Sequence, residues 1–413
     1  MKNLQTKLLL AALAAVPASP AWADTPPSDA SANSSQAAPV QLLWNARLRD
    51  ESVDDDAFAK DARADTLRLR LGLLGNFGNG WSGLIEGTGT ASADNRYNSG
   101  ANGQTQYPGI TDPHGAGLNQ AWLRWQNQQF IATVGRQRLI LDNQRWVGPV
   151  GWRQLEQTYD AIALQWHPAS DWTVRYDWLG RVHRVNGPDA INPLAARRKL
   201  DTSLFNVAYA RGTQTWVGYA YLHKDRDVPT ASTSTYGLRW LGSYVKQGSG
   251  PGWAAEFARQ SDYANNPASY TTNYWLLEPS WTLRRVTAKL GWEHLGGNGR
   301  HALQTPLATL HAFNGWDDQF VVTPPGGLND HYASLNGKFA LGMLKPLGWN
   351  VTYHNFRAAT DGHYGNEWDA SVGFPLASGV QALVKVANYQ ADWFGHDDTK
   401  LWFQIEWSGK QNL

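Results

Sequence analysis

The stretch Thr66-Leu67-Arg68-Leu69-Arg70-Leu71 places a leucine at every second position and a hydroxyl or guanidinium group between. In an extended strand successive side chains point to opposite faces, so one face here is all leucine and the other strongly basic. An unpaired guanidinium in an apolar interior is very costly, so the basic face needs water or partners. The same period of two recurs far away. Trp172, Val174, Tyr176 and Trp178 alternate with Thr173, Arg175, Asp177 and Leu179. Val286, Ala288, Leu290 and Trp292 alternate with Arg285, Thr287, Lys289 and Glu293. Trp368, Ala370, Val372 and Phe374 alternate with Glu367, Asp369, Ser371 and Gly373, and Leu401, Phe403, Ile405 and Trp407 with Trp402, Gln404 and Glu406. These are half-apolar strands whose charged side faces water.

About eighteen such segments follow one another. They begin near positions 41, 64, 81, 116, 129, 157, 171, 201, 214, 234, 252, 272, 284, 331, 348, 366, 379 and 399. The facing of those near 129, 157, 214 and 272 is ambiguous. Odd-to-even connections are long, near 50–63, 92–115, 138–156, 183–200, 223–233, 262–271, 295–330, 358–365 and 391–398. Even-to-odd connections are short: Asn76–Gly80, Asn127–Gln128, Pro168–Ser170, Gly212–Thr213, Lys246–Pro251, Thr282–Leu283, Leu344–Leu347 and Pro375–Ser378. A transmembrane barrel has this parity, with long loops outside and tight turns in the periplasm. A sandwich or propeller does not. The predicted fold is therefore all-β, a transmembrane antiparallel up-and-down barrel. An even strand number leaves both termini in the periplasm, and about eighteen strands enclose an aqueous lumen. The last strand ends on Trp407, with Ser408 to Leu413 trailing it.

Composition agrees. The chain has 22 Trp, 16 Tyr and 40 Gly, and a mean hydropathy of −0.47. Trp and Tyr favour the boundary between lipid tails and head groups. Beyond the N-terminus no apolar run is long enough for a membrane helix. With 0 cysteines, disulfides and thiolate metal sites are excluded. No metal or cofactor is expected.

At the N-terminus Lys2 and Lys7 precede an apolar run from Leu8 to Val16, and Ala21-Trp22-Ala23 fits a cleavage site. Residues 1–23 are thus expected to be a signal peptide. Residues 24–40, rich in Ser, Ala and Pro, would form a flexible periplasmic leader, and 41–413 a single barrel domain. Removing the two signal lysines from 36 Lys plus Arg leaves 34 against 35 Asp plus Glu, so bulk charge does not suggest nucleic acid. The expected location is the outer membrane of a Gram-negative bacterium.

Residues 135–160 carry a more specific signal. They contain Gly135-Arg136-Gln137, Asn143-Gln144-Arg145-Trp146-Val147-Gly148, Gly151-Trp152-Arg153-Gln154 and Tyr159-Asp160. Together with Leu67-Arg68-Leu69-Arg70-Leu71-Gly72, this region resembles the alginate-export outer-membrane porin family. The resemblance implies an eighteen-stranded monomeric channel whose arginine-rich constriction passes an anionic polyuronate. Related barrels pass other anionic or small solutes, so a general diffusion porin is the alternative. Lipid, lipopolysaccharide and a periplasmic secretion partner would be its other contacts.

Alternation puts Arg47, Arg49, Arg68, Arg70, Arg124, Arg175, Arg239, Lys289, Lys338 and Lys385 on the lumen side. Asp177, Glu256, Glu293, Glu367, Asp369 and Glu406 share that side. Such residues either line a solute path or brace the wall as ion pairs. Arg47 with Arg49, and Arg68 with Arg70, are the sharpest candidates, because like charges on one face are unfavourable without anions. The family-like segment adds Arg136, Arg145 and Arg153. For Arg136 the resemblance implies a place near the pore, whereas alternation with Val134 and Ala132 aims it at lipid unless Gly135 breaks the strand. Trp146 and Trp152 would either pack their outer loop on itself or fold it into the mouth. The longest connection, 295–330, contains Phe313, Trp316, Phe320 and Val321. It is expected either to enter or cover the lumen or to pack beside a neighbouring loop. Asp54-Asp55-Asp56, Asp317-Asp318 and Asp397-Asp398 read as solvated loop charge, with divalent-cation bridging to lipopolysaccharide as the alternative. An enzyme in a barrel is disfavoured, since neither Gly-x-Ser-x-Gly nor HExxH occurs.

Overall fold

The structure is a computed structural model that describes residues 39–339 and 346–413. The predicted signal peptide, the leader up to residue 38, and the start of the Leu344–Leu347 turn lie outside the described residues. The strands are β1 (Val40–Asp55), β2 (Ala62–Gly78), β3 (Trp81–Ser92), β4 (Gly115–Gln126), β5 (Phe130–Gln137) and β6 (Thr158–Trp166). They continue as β7 (Trp172–His183), β8 (Arg197–Arg211), β9 (Gln214–His223), β10 (Thr233–Ser243), β11 (Ser249–Asp262) and β12 (Thr271–Leu283). The remainder are β13 (Val286–Leu295), β14 (Leu328–Phe339), β15 (Leu347–Arg357), β16 (His363–Ala377), β17 (Val380–Ala391) and β18 (Asp398–Asn412). Each pairs antiparallel with its chain neighbours, and β18 pairs with β1, closing an 18-stranded barrel. Among the described residues closure leaves no unpaired sheet edge, which a bilayer would not tolerate.

Strand starts match the sequence expectation closely. β1 begins at Val40 and so takes in the last residue assigned to the leader. The residues after Trp407 continue β18, pairing as far as Asn412 with Gln41. Among the described residues no helix is long and apolar enough to cross a membrane.

The outer wall is apolar. Leu48, Leu67, Leu69, Leu71, Ile85, Val134, Leu290 and Phe403 are exposed there, which in a bilayer means contact with lipid. At the short-turn end Trp172, Tyr209 and Trp216 stack in sequence around the wall, and Trp240 packs against Trp253. Trp216 and Trp240 are register partners, so these rings form a continuous girdle at one membrane boundary.

The inner wall is polar but not open to bulk water at mid-height. Arg47 and Arg68 are each 1% exposed. The filling comes from two long connections, 138–157 and 296–327, which turn into the lumen. They join through a parallel bridge between Val147 and Leu307, and Gly148 N donates to Leu307 O at 2.9 Å. Of the two expectations for each loop, insertion is what the structure shows. The loops also stack on each other, through Trp152 and His311 at 4.6 Å.

Candidate functional site

The inner face of β1 and β2 is a ladder of guanidinium groups. Arg47 and Arg68 are direct cross-strand partners, an arrangement that is destabilising without intervening anions. Glu406 of β18 supplies one: its carboxylate lies 2.9 Å from Arg47 Nε and 3.2 Å from Arg68 Nη2. Asn45 tethers the same carboxylate and accepts from Arg68.

The remaining donors end mainly on the inserted 138–157 loop. Arg47 Nη1 donates to the carbonyls of Gly151 at 2.9 Å and Trp152 at 3.0 Å. Arg49 Nη2 donates to the Trp152 carbonyl at 2.5 Å, and its guanidinium lies 4.0 Å from the centre of the Trp152 ring. Arg70 reaches Glu156 at 3.1 Å and the Gln154 carbonyl at 3.3 Å. Arg153 binds back to the wall through Glu51 at 3.0 Å, and to the second loop through Asp318 at 3.1 Å. Not every donor finds a partner. Among the described residues Arg68 Nε, Arg68 Nη1 and Arg70 Nε, all buried, have none.

The second loop docks on the wall of β13, β14 and β16 to β18. Asn314 donates to Glu293 at 2.6 Å, and Arg145 lies 2.9 Å from the same carboxylate. Trp316 N and Asp317 N donate to Asp369 and Glu367 at 3.2 and 2.8 Å. Gly315, at φ +83°, lets the backbone approach, for a Cβ there would sit 2.2 Å from a Glu367 oxygen. Lys385 lies 3.7 Å from the Trp316 ring and 2.6 Å from His311 Nε2. Burial above all, with Lys385 adding to it against Asp318, pushes the His311 imidazole down to about 3. It is therefore neutral, accepting from Lys385 at Nε2 and donating from Nδ1 to Asp318 at 2.9 Å.

Two loop carboxylates are shifted in opposite directions. Burial alone would raise Glu156, but Arg138 and Arg70 outweigh it and hold the group down at about 2. For Asp317 burial dominates. Lys400 opposes it, Glu367 and Asp398 reinforce it, and the carboxyl is pushed up to about 9. Asp317 is thus a buried docking group, as is Asp398 at 3% exposure, so the reading of these two as solvated loop charge is corrected, while Asp397 stays exposed. Among the described residues no cluster of His, Cys, Asp and Glu is arranged to hold a metal.

The far wall is built differently. Arg239 pairs with Glu256 at 3.3 Å, and Tyr219 donates to the same glutamate at 2.6 Å. Tyr274 donates to Glu293 at 2.6 Å. Lys289 pairs with Glu278 at 3.0 Å, and Tyr332 donates to it at 2.6 Å. Arg175 is paired with Asp177 at 2.8 Å on β7. Arg124 faces inward nearer the short turns, 3.1 Å from Thr133 Oγ1 and over the Trp122 ring. Lys338 has the inward parity but stands exposed at the short-turn rim, away from the loops.

Arg136 is the misplaced candidate. It shares the outer face with Val134 and pairs with Asp160 at 2.9 Å, so it lies outside the lumen. The glycine before it, at φ +121°, does not invert the alternation. Sequence reading passed over Glu51, Arg138, Glu156, His311 and Lys400. Glu51 and Lys400 were accessible to it, since they keep the parity of Arg49 and Glu406. The loop residues carry no periodicity that reveals depth.

A sequence model of a protein family described as alginate export matches residues 39–246. No curated protein sequence matches the chain. Among solved structures, OccK9 (OpdG) of Pseudomonas aeruginosa superposes with a TM-score of 0.73 at 12% identity, over 91% of this chain and 100% of that one. OccAB3 of Acinetobacter baumannii gives 0.72 at 10% identity, over 90% and 99%. OpdK of Pseudomonas aeruginosa, solved with vanillate, gives 0.71 at 11% identity, over 90% and 99%. At such identities the likeness carries the barrel architecture alone.

Proposed function

Starting from the family this chain belongs to, alginate export, and from its place as a channel in the Gram-negative outer membrane, we propose that it passes an anionic solute of the polyuronate class along the β1–β2 arginines. It acts as a channel, not a catalyst, and one barrel is the transporting unit.

What carries this is the way Arg47, Arg49, Arg68 and Arg70 are satisfied. Some of their acceptors are backbone carbonyls of the 138–157 loop, the rest are the side chains of Glu406, Gln404, Asp112, Asn45 and Glu156, and among the described residues some N–H groups have none. A guanidinium bonded to a neutral carbonyl keeps its charge uncompensated, whereas a carboxylate accepts the same hydrogen bonds and neutralises it. A solute carboxylate with its two-point geometry therefore competes well for guanidinium groups now resting on carbonyls. Passage requires the 138–157 loop to lift from the ladder, and with it the 296–327 loop to which it is bridged. Inward carboxylates keep the field mixed, so an anion is drawn in without being trapped.

A small carboxylate is the second reading. The tight filling around the arginines favours it, and a barrel of the same architecture, OpdK, was solved with vanillate. Single-channel recording separates the two. Uronate oligomers on one side should interrupt the chloride current at concentrations where a neutral glucan of equal length does nothing. If oligouronates have no effect while a small aromatic carboxylate carries current, the second reading replaces the first. If neither acts, the arginines only brace the wall.

A further inference from the structure

Outside the lumen, above the lipid-facing band of β5 to β9, the wall turns basic. Ile162, Phe205 and Trp178 belong to the apolar outer face. Immediately beyond them, toward the long loops, the same faces carry Arg136, Arg181, Arg197 and Lys199. The β9–β10 connection adds Lys224 and Arg226.

Two features mark this patch as unbalanced. Arg181 is the direct register partner of Lys199 on the neighbouring strand. Like charges so placed repel. The nearby carboxylates do not cancel them. Asp160 is shared by Arg136 at 2.9 Å, His183 at 3.0 Å and Arg181 at 3.7 Å. Asp201 is shared by Arg226 at 3.1 Å and Lys224 at 3.8 Å. Asp227 accepts from the backbone N–H of Lys199. Among the described residues the Arg197 and Lys199 side chains, both exposed, have no ion-pair partner.

We infer that this patch binds the phosphate groups of a phosphorylated glycolipid of the outer leaflet. Its height decides the occupant, for it lies where the apolar band ends on the long-loop side, which faces the cell exterior in such barrels. Its direction decides against the transported solute, since these side chains point away from the lumen. Guanidinium and ammonium groups in a row suit the separated phosphates of a lipid A head group.

The test is native mass spectrometry of the full barrel in detergent, titrated with bis-phosphorylated lipid A. Heat-modifiable gel mobility verifies that each variant is folded. Arg197→Glu/Lys199→Glu/Arg226→Glu should weaken binding at least about tenfold, and Lys199→Gln alone should weaken it less. Arg259→Glu, which replaces an exposed cation on another sector of the outer wall, should bind like the parent, and dephosphorylated lipid A should bind neither protein. Parental affinity in the triple variant would overturn the inference. So would equal binding of dephosphorylated lipid A, an equal loss in Arg259→Glu, or displacement of lipid A by a soluble oligouronate.

Discussion

The two sides of the lumen bury charge in different ways. On β1 and β2 the arginines end partly on the inserted loop, through its carbonyls and Glu156, and partly on side chains outside it, Glu406, Gln404 and Asp112. On the far side Glu256, Glu278 and Glu293 each keep a hydroxyl of the wall itself, from Tyr219, Tyr332 and Tyr274, even though Trp146 of the first loop also reaches Glu256, and Arg145 and Asn314 of the two loops reach Glu293. Wall partners stay when a loop moves, and loop carbonyls leave with it. Lifting the plug therefore bares cations on one side while much of the opposing negative charge stays hydrogen-bonded. A wall of mixed composition can in this way open as an anion-attracting surface.

The largest effect should come from removing the movable side of the contrast. Replacing residues 299–323 with a short Gly-Ser turn should raise single-channel conductance several-fold, since Asn314, Trp316 and Asp317 would no longer fill the lumen. Unchanged conductance would mean that solutes already pass beside the loops.

Acidity should act on the two loops in opposite senses. Glu156 lies below its ordinary value when the first loop is docked. Its contribution is complete above the ordinary carboxylate value and is lost as pH falls toward about 2. Asp317 lies above its ordinary value when the second loop is docked, so docking takes up a proton. That docking weakens as pH rises from the ordinary carboxylate range through about 9. Open events in a bilayer recording should thus be rarest around the ordinary carboxylate range and become more frequent on either side of it. Glu156→Gln should remove the acid limb and Asp317→Asn the alkaline one. A profile indifferent to both substitutions would show that neither carboxyl reports on docking.

The fixed side should respond least. Tyr274→Phe deletes a hydrogen bond to a carboxylate that keeps Arg145 and Asn314, for a loss of about 1–2 kcal/mol in denaturant unfolding. A shift in ion selectivity as large as that of an arginine variant would erase the distinction between the two sides.

What could be read from the sequence follows the same division. The facing of Arg68 between Leu67 and Leu69, or of Glu367 beside Trp368, follows from a period of two, because lipid and lumen impose opposite demands on adjacent residues. Alternation even placed Arg136 correctly where family resemblance did not. Strand count and the long-short rhythm of connections were legible for the same reason. The plug was not. Its depth rests on aperiodic contacts, such as the Trp152 carbonyl against Arg49 and Gly315 against Glu367, and Asp317-Asp318 looks like any exposed acidic pair until its neighbours are known.

The most direct test is the reversal potential of the purified channel in a planar bilayer under a salt gradient, for the parent and for Arg68→Gln/Arg70→Gln. The parent should prefer chloride over potassium, and the double variant should lose most of that preference while still inserting as a heat-modifiable barrel. An identical reversal potential in the two proteins would contradict an anion path along these arginines.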